Sequence, residues 1–161
     1  MARKLILLLC FMGLSNIVGC ASTAEQEEAK NNTQIVAIQA EAEHAYKMAM
    51  LDQAESLYLQ VLNSVPNYAP AWFRLGNIYT RTSRHEAAIE AYMRCLQLEP
   101  ENQKAWYNIS LVRLKQATQV LASAKRQGDG NTPVGRQINA LLDALNDLQS
   151  NDRSPEPQEA Q

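Results

Sequence analysis

Apolar and polar positions alternate along the middle of this chain with the rhythm of packed helices. Trp72, Leu75, Gly76 and Tyr79 fall at i, i+3, i+4 and i+7, one face of a helix. Ala88, Tyr92 and Cys95 form the matching face of a second helix, and small residues at Gly76 and Ala88 predict that the two axes come close together. Ser83-Arg84-His85-Glu86 has the Ser-x-x-Glu spacing of a capping box at the start of that second helix. Pro100 disfavours helix at Glu99 and so ends it, and Asn102 is placed to cap the next helix. Downstream, Leu111, Leu114, Val120 and Leu121 continue helical spacing without a turn, predicting one long helix from Gln103 to about Gln127. "GDGNTPVG" breaks it, and Thr132 followed by Pro133 starts a last helix with an apolar stripe of Ile138, Leu141, Leu142, Leu145 and Leu148.

The same residues recur at a fixed interval. Ala54 and Ala88, Tyr58 and Tyr92, Pro66 and Pro100, and Trp72 and Trp106 are each 34 residues apart. This period and the residues that mark it resemble the tetratricopeptide repeat, a helix–turn–helix unit that stacks into a solenoid. In the central copy Trp72, Leu75, Gly76 and Tyr79 fit the first helix of the family pattern, and Ala88, Tyr92, Cys95 and Pro100 fit the second. The upstream copy, Ile35 to Tyr68, is looser, with Ile38 in place of the tryptophan and Glu41 in place of a leucine, as an end unit with one neighbour tolerates. The third copy begins well at Trp106, then departs where Arg113 replaces the tyrosine. The resemblance implies an all-α helix-turn-helix solenoid of about two and a half repeats with a C-terminal capping helix.

The two ends differ from this core. Arg3 and Lys4 precede an apolar run, Leu5 to Val18, shorter than the roughly 20 residues of a spanning helix. It reads as a secretory signal. Ile17-Val18-Gly19-Cys20 resembles a bacterial lipobox, which implies cleavage before Cys20 and lipidation (palmitate among the acyl groups) of that cysteine. Ala21 and Ser22 lack the aspartate that tends to retain such lipoproteins at the inner membrane, pointing to the periplasmic face of the outer membrane. The expected organisation is therefore a lipoprotein signal peptide over 1–19, a lipidated tether over 20–33, repeats over 34–127, a linker and capping helix over 128–149 and a disordered tail over 150–161. Losing Arg3 and Lys4 with the signal takes the net charge from −2 to −4, so nothing in the charge points to nucleic acid. Cys10 leaves with the signal and Cys20 takes lipid, so Cys95 is the one free thiol, expected in the core rather than as a nucleophile.

No catalytic constellation can be picked out. His44 and His85 lack metal-ligand spacing and partners, "GDGNTPVG" lacks the lysine of a phosphate loop, and neither an enzyme activity, a cofactor nor a metal is expected. What remains is surface. In the family the first helices of successive repeats line a groove. The stripe opposite Trp72, Gly76 and Tyr79 holds Phe73, Arg74, Asn77 and Arg81, and the next repeat offers Lys104, Tyr107, Asn108 and Leu111. The first repeat contributes Gln39, Glu43, Tyr46 and Lys47. Such a mixture of aromatics, amides and basic heads suits an extended peptide. Some family members clamp a C-terminal carboxylate with asparagine and lysine, a pattern that Asn77, Asn108 and Lys104 match in part; the alternative is a solvated stripe with no ligand. Ile138, Leu142 and Leu145 either close the open end of the array or dock a partner. The combined reading is a lipid-anchored interaction module for a protein or peptide partner in the envelope. It resembles lipoproteins that assist pilus and secretin assembly; the alternative role is an adaptor for a cell-wall hydrolase or protease.

Overall fold

The computed structural model describes residues 19–151, with the side chains of 30, 32–148. Six helices follow one another: α1 (Gly19–Lys47), α2 (Leu51–Ser64), α3 (Ala69–Arg81), α4 (His85–Leu98), α5 (Gln103–Gln127) and α6 (Pro133–Asn151). No strand occurs among the described residues. Each helix packs on the next in sequence, α1 on α2, α2 on α3 and so on to α6 on α5. Short connections make each pair antiparallel, and the 34-residue period is kept: α2 and α4 begin and end at matching places, as do the ends of α1 and α3. The fold is the expected all-α solenoid of helical hairpins.

Local chemistry sets the boundaries. Asn102 caps α5, its Oδ1 accepting from the Ala105 amide at 3.0 Å. The Thr132 hydroxyl accepts from the Gly135 amide at 2.9 Å, with Pro133 opening α6. The turn into α4 is closed differently from the expected capping box. Ser83 caps nothing; it takes a left-handed conformation, φ 60°, just past the end of α3. The Arg84 amide bonds the Tyr79 carbonyl at 2.8 Å and the Ser83 amide bonds that of Thr80 at 3.1 Å, the two reversed bonds of a Schellman turn. Ala49, one period earlier, has φ 57° and the same pair of bonds, Met50 to Ala45 and Ala49 to Tyr46. The requirement that stops the chain is the free carbonyls ending α3, and left-handed Ser83 satisfies them.

Residues 20–33, expected as a tether, continue α1 without a break. From Ala21 to Lys47 the chain holds neither glycine nor proline and is rich in Ala, Glu, Gln and Lys, all strong helix formers, so nothing stops the helix short of its packed part. The expected signal peptide, apart from Gly19, and the tail beyond Asn151 lie outside the described residues. No helix among those described is long and apolar enough to cross a membrane.

Two clusters make the core. One joins Ala42, Tyr46, Ala54, Tyr58, Val61, Leu75 and Ile78; the other joins Phe73, Ala88, Tyr92, Cys95, Ala105 and Val112. Trp72 and Tyr79 pack against both and stitch them together. Gly76 is required by a ring rather than by Ala88: a Cβ there would overlap Tyr92, whose Cζ would lie 2.8 Å away.

Candidate functional site

The central helix α3 has neighbours on several sides, and this decides the fate of the expected groove. Phe73 is 2% exposed, Asn77 0% and Asn108 1%. These three were expected on a surface stripe; they are core. Phe73 packs against the Tyr92 ring at 5.7 Å between centroids. Asn77 Oδ1 accepts from the Tyr92 hydroxyl at 2.8 Å and from Asn108 Nδ2 at 3.1 Å, while Asn108 Nδ2 also reaches the Tyr92 oxygen at 3.3 Å. Thr80 Oγ1 lies 3.2 Å from the same hydroxyl. The amides join α3, α4 and α5 inside the array, so no clamp on a terminal carboxylate forms from Asn77, Asn108 and Lys104. Burial pushes the Tyr92 hydroxyl well above its ordinary range, so it serves as a neutral donor.

One period earlier the same three places form a charged version of this joint. Glu43 stands for Asn77, Tyr58 for Tyr92 and Arg74 for Asn108. Tyr58 donates to Glu43 Oε2 at 2.8 Å and Arg74 Nη2 to Glu43 Oε1 at 2.9 Å. Lys47 Nζ stands 3.6 Å from that Oε1. Burial by itself raises the Glu43 pKa, but the Tyr58 hydrogen bond and the Arg74 and Lys47 charges outweigh it and hold the carboxyl below its ordinary value. Burial and then Glu43 drive the Tyr58 hydroxyl far upward.

Around this charged joint lies a cleft of about 350 Å³, lined by Val36, Gln39, Ala40 and Glu43 of α1, Tyr58 of α2, Tyr68, and Pro70 and Arg74 of α3. Gln39 Nε2 donates to the Tyr68 hydroxyl at 2.6 Å. Tyr46 lies between two guanidinium groups, Arg74 at 5.0 Å and Arg81 at 5.2 Å from its ring centroid. Of the anticipated groove, then, the structure brings Arg74 and Arg81 together with Gln39, Glu43, Tyr46 and Lys47. Lys104, Tyr107 and Leu111 lie half-buried on α5, away from this cleft. Tyr58, Tyr68, Val36, Ala40 and Pro70 were not anticipated as lining. The 34-residue offset of Glu43, Tyr58 and Arg74 from Asn77, Tyr92 and Asn108 is the one mark of the joint that the sequence carries, and it was missed.

In α6, Leu142 is buried and Ile138 and Leu145 half-buried in a hairpin whose other leg is α5; Leu141 and Leu148 remain exposed. The stripe expected to cap or to dock is thus largely spent on α5. His85 is buried at the start of α4. Cys95 is fully buried, and burial pushes its thiol up to about 11, so it is no nucleophile at neutral pH. Among the described residues no group of three His, Cys, Asp or Glu side chains is placed to hold a metal.

A stack of antiparallel hairpins with an inter-repeat joint and a side cleft defines a helical-repeat array. Residues 69–102 match the family model of the tetratricopeptide repeat, and that central copy is the one with the fullest set of marker residues. Among curated proteins, the human protein O-mannosyl-transferase TMTC3 is 29% identical over 65 residues, 40% of this chain and 7% of that protein. The peroxisomal targeting signal receptor of Saccharomyces cerevisiae is 31% identical over 102 residues, 60% of this chain and 17% of the receptor. The chain therefore spans less than a fifth of the length of these relatives. Among solved structures, the Sgt2 tetratricopeptide domain of Aspergillus fumigatus superposes with a TM-score of 0.49 at 20% identity, covering 80% of this chain and 87% of that one.

Proposed function

We propose that this chain is a lipid-anchored interaction module of a bacterial envelope. Cys20 carries it on the periplasmic face of the outer membrane, and the cleft between α1 and α3 holds a segment of a protein partner. Its work is to scaffold the assembly of an envelope machine such as a pilus or a secretin. The observation that carries the binding role is the cleft itself: it is open, lined by apolar walls, and floored by an arginine held between a carboxylate and an aromatic ring. The lipobox resemblance at Ile17 to Cys20 supports the anchoring.

Two measurements test this reading. Cys20→Ser is expected to leave uncleaved, unlipidated precursor; mature lipid-modified protein in the outer-membrane fraction of that variant would refute the anchor. A photo-reactive side chain at Ala40, exposed on the cleft wall, is expected to capture one defined envelope protein in intact cells. The same group at exposed Met93 on α4 is the control. Equal capture at both positions, or none at Ala40, would remove the cleft from the binding surface.

A further inference from the structure

The chemistry of the cleft says more about what enters it. Arg74 is nine-tenths buried, 8% exposed, yet only part of its guanidinium is used. Nη2 donates to Glu43, and the face of the group lies over the Tyr46 ring, which fixes its plane but supplies no lone pair. Nη1 is shielded from water and has no hydrogen-bond acceptor. A buried donor left in this state is costly, and a charged donor more so. The charge balance points the same way. Glu43 is the single acid lining the cleft and is shared by Arg74, Lys47 and Tyr58, while Arg81 adds a second guanidinium against Tyr46. The site therefore holds surplus positive charge and one guanidinium donor, Arg74 Nη1, without an acceptor.

The walls decide the kind of acceptor. Val36, Ala40 and Pro70 offer apolar surface on the way to Arg74, and the space, about 350 Å³, is ample for one long side chain. A glutamate side chain matches: its methylenes lie against the walls and its carboxylate arrives at the guanidinium, while the main chain stays outside. A terminal carboxylate would instead have to bring its own polar backbone between those apolar walls, where peptide groups are costly to bury unpaired.

We propose that the cleft between α1 and α3 takes the side-chain carboxylate of a glutamate in an extended segment of the partner, with the Arg74 guanidinium as its donor once the ligand displaces the side chains that cover it. The inference rests on the reading of this cleft as the partner-binding surface. The bond is charge-assisted and sheltered from water, so it discriminates between glutamate and glutamine. An exposed ion pair would be screened away by salt far more readily.

The test uses the full chain and fluorescein-labelled nine-residue peptides of alanine and serine, acetylated and amidated, with a central glutamate or glutamine. A third peptide lacks the acid and has a free C-terminus. Anisotropy is expected to show the glutamate peptide binding about tenfold or more tightly than the glutamine peptide, the worth of one charge-assisted hydrogen bond. Two variants are expected to erase that difference. Arg74→Gln removes the charged guanidinium, with thermal unfolding run alongside to confirm that the variant folds. Val36→Glu sets a competing carboxylate at the exposed rim, where it leaves the fold intact. Equal affinity for glutamate and glutamine, a preference that survives in Val36→Glu, binding confined to the free C-terminus, or no binding of any peptide would each overturn the proposal. If partner capture at Ala40 persists in cells after such a result, the module reading stands and the glutamate specificity falls. If capture is lost as well, both fall.

Discussion

At the scale of single residues, the repeat uses one joint in two chemistries. Asn77, Tyr92 and Asn108 form it from neutral groups, and Glu43, Tyr58 and Arg74 form it from charges. Only the second responds to acid. The folded-state pKa of Glu43 lies below its ordinary value of 4.5, so its contribution is present above the unfolded pKa and is lost as pH falls through the folded one. Glu55 behaves in the same way, held down first by its hydrogen bond to Arg84. Glu43→Gln is expected to cost about 1–3 kcal/mol at neutral pH by leaving Arg74 without its charged partner. It is also expected to flatten the fall in stability below pH 4.5, with the remaining slope due to groups such as Glu55. Denaturant unfolding from pH 7 to pH 3 measures both. An unchanged slope in the variant would show that Glu43 does not titrate with folding.

At the scale of elements, helix positions were legible because each leaves a local mark: the i, i+3, i+4, i+7 face of α3, Asn102 before α5, Pro100 after α4, Thr132-Pro133 before α6. The environment of α3 was not. An apolar face tells where one neighbour lies, and the amides at Asn77 and Asn108 looked like solvent-facing residues. Only a third helix, α5, covers them, and its contact is set by tertiary packing. The turn after α3 misled for a related reason. Ser-x-x-Glu fits a cap on α4, yet the unpaired carbonyls at the end of α3 claim Ser83 first. Left-handed backbone costs an ordinary residue about 1–2 kcal/mol. Glycine avoids that cost but loses more entropy on folding. Ser83→Gly and Ala49→Gly are therefore each expected to stabilise the chain by about 0.5–1 kcal/mol, read as a raised denaturation midpoint. A fall in midpoint at both sites would mean that the positive φ is not held in solution.

At the scale of the whole molecule, the array is a line of neighbours with a centre and two ends. Helix α3 packs against α2 and α4 and is tied through Asn77 to Asn108 of α5, while Trp72 and Tyr79 belong to both core clusters. The far end is thinner. Trp106 repeats Trp72, down to its indole N–H on a proline carbonyl, at Pro100 as at Pro66, but it is 50% exposed because α5 runs on where a hairpin would turn back. In place of that hairpin, α6 folds onto α5 and buries Leu142. In such a line stability is close to a sum of units and nearest-neighbour contacts, so damage at one end stays there. Leu142→Glu puts a carboxylate into an apolar contact and is expected to cost about 2–4 kcal/mol locally. Amide hydrogen exchange should then quicken in α6 and the distal half of α5, while α3 and α4 keep the slowest exchange in the chain. Loss of protection spread evenly over all six helices would show that the hairpins unfold as one unit, and that α6 supports the cleft between α1 and α3 from the opposite end of the array.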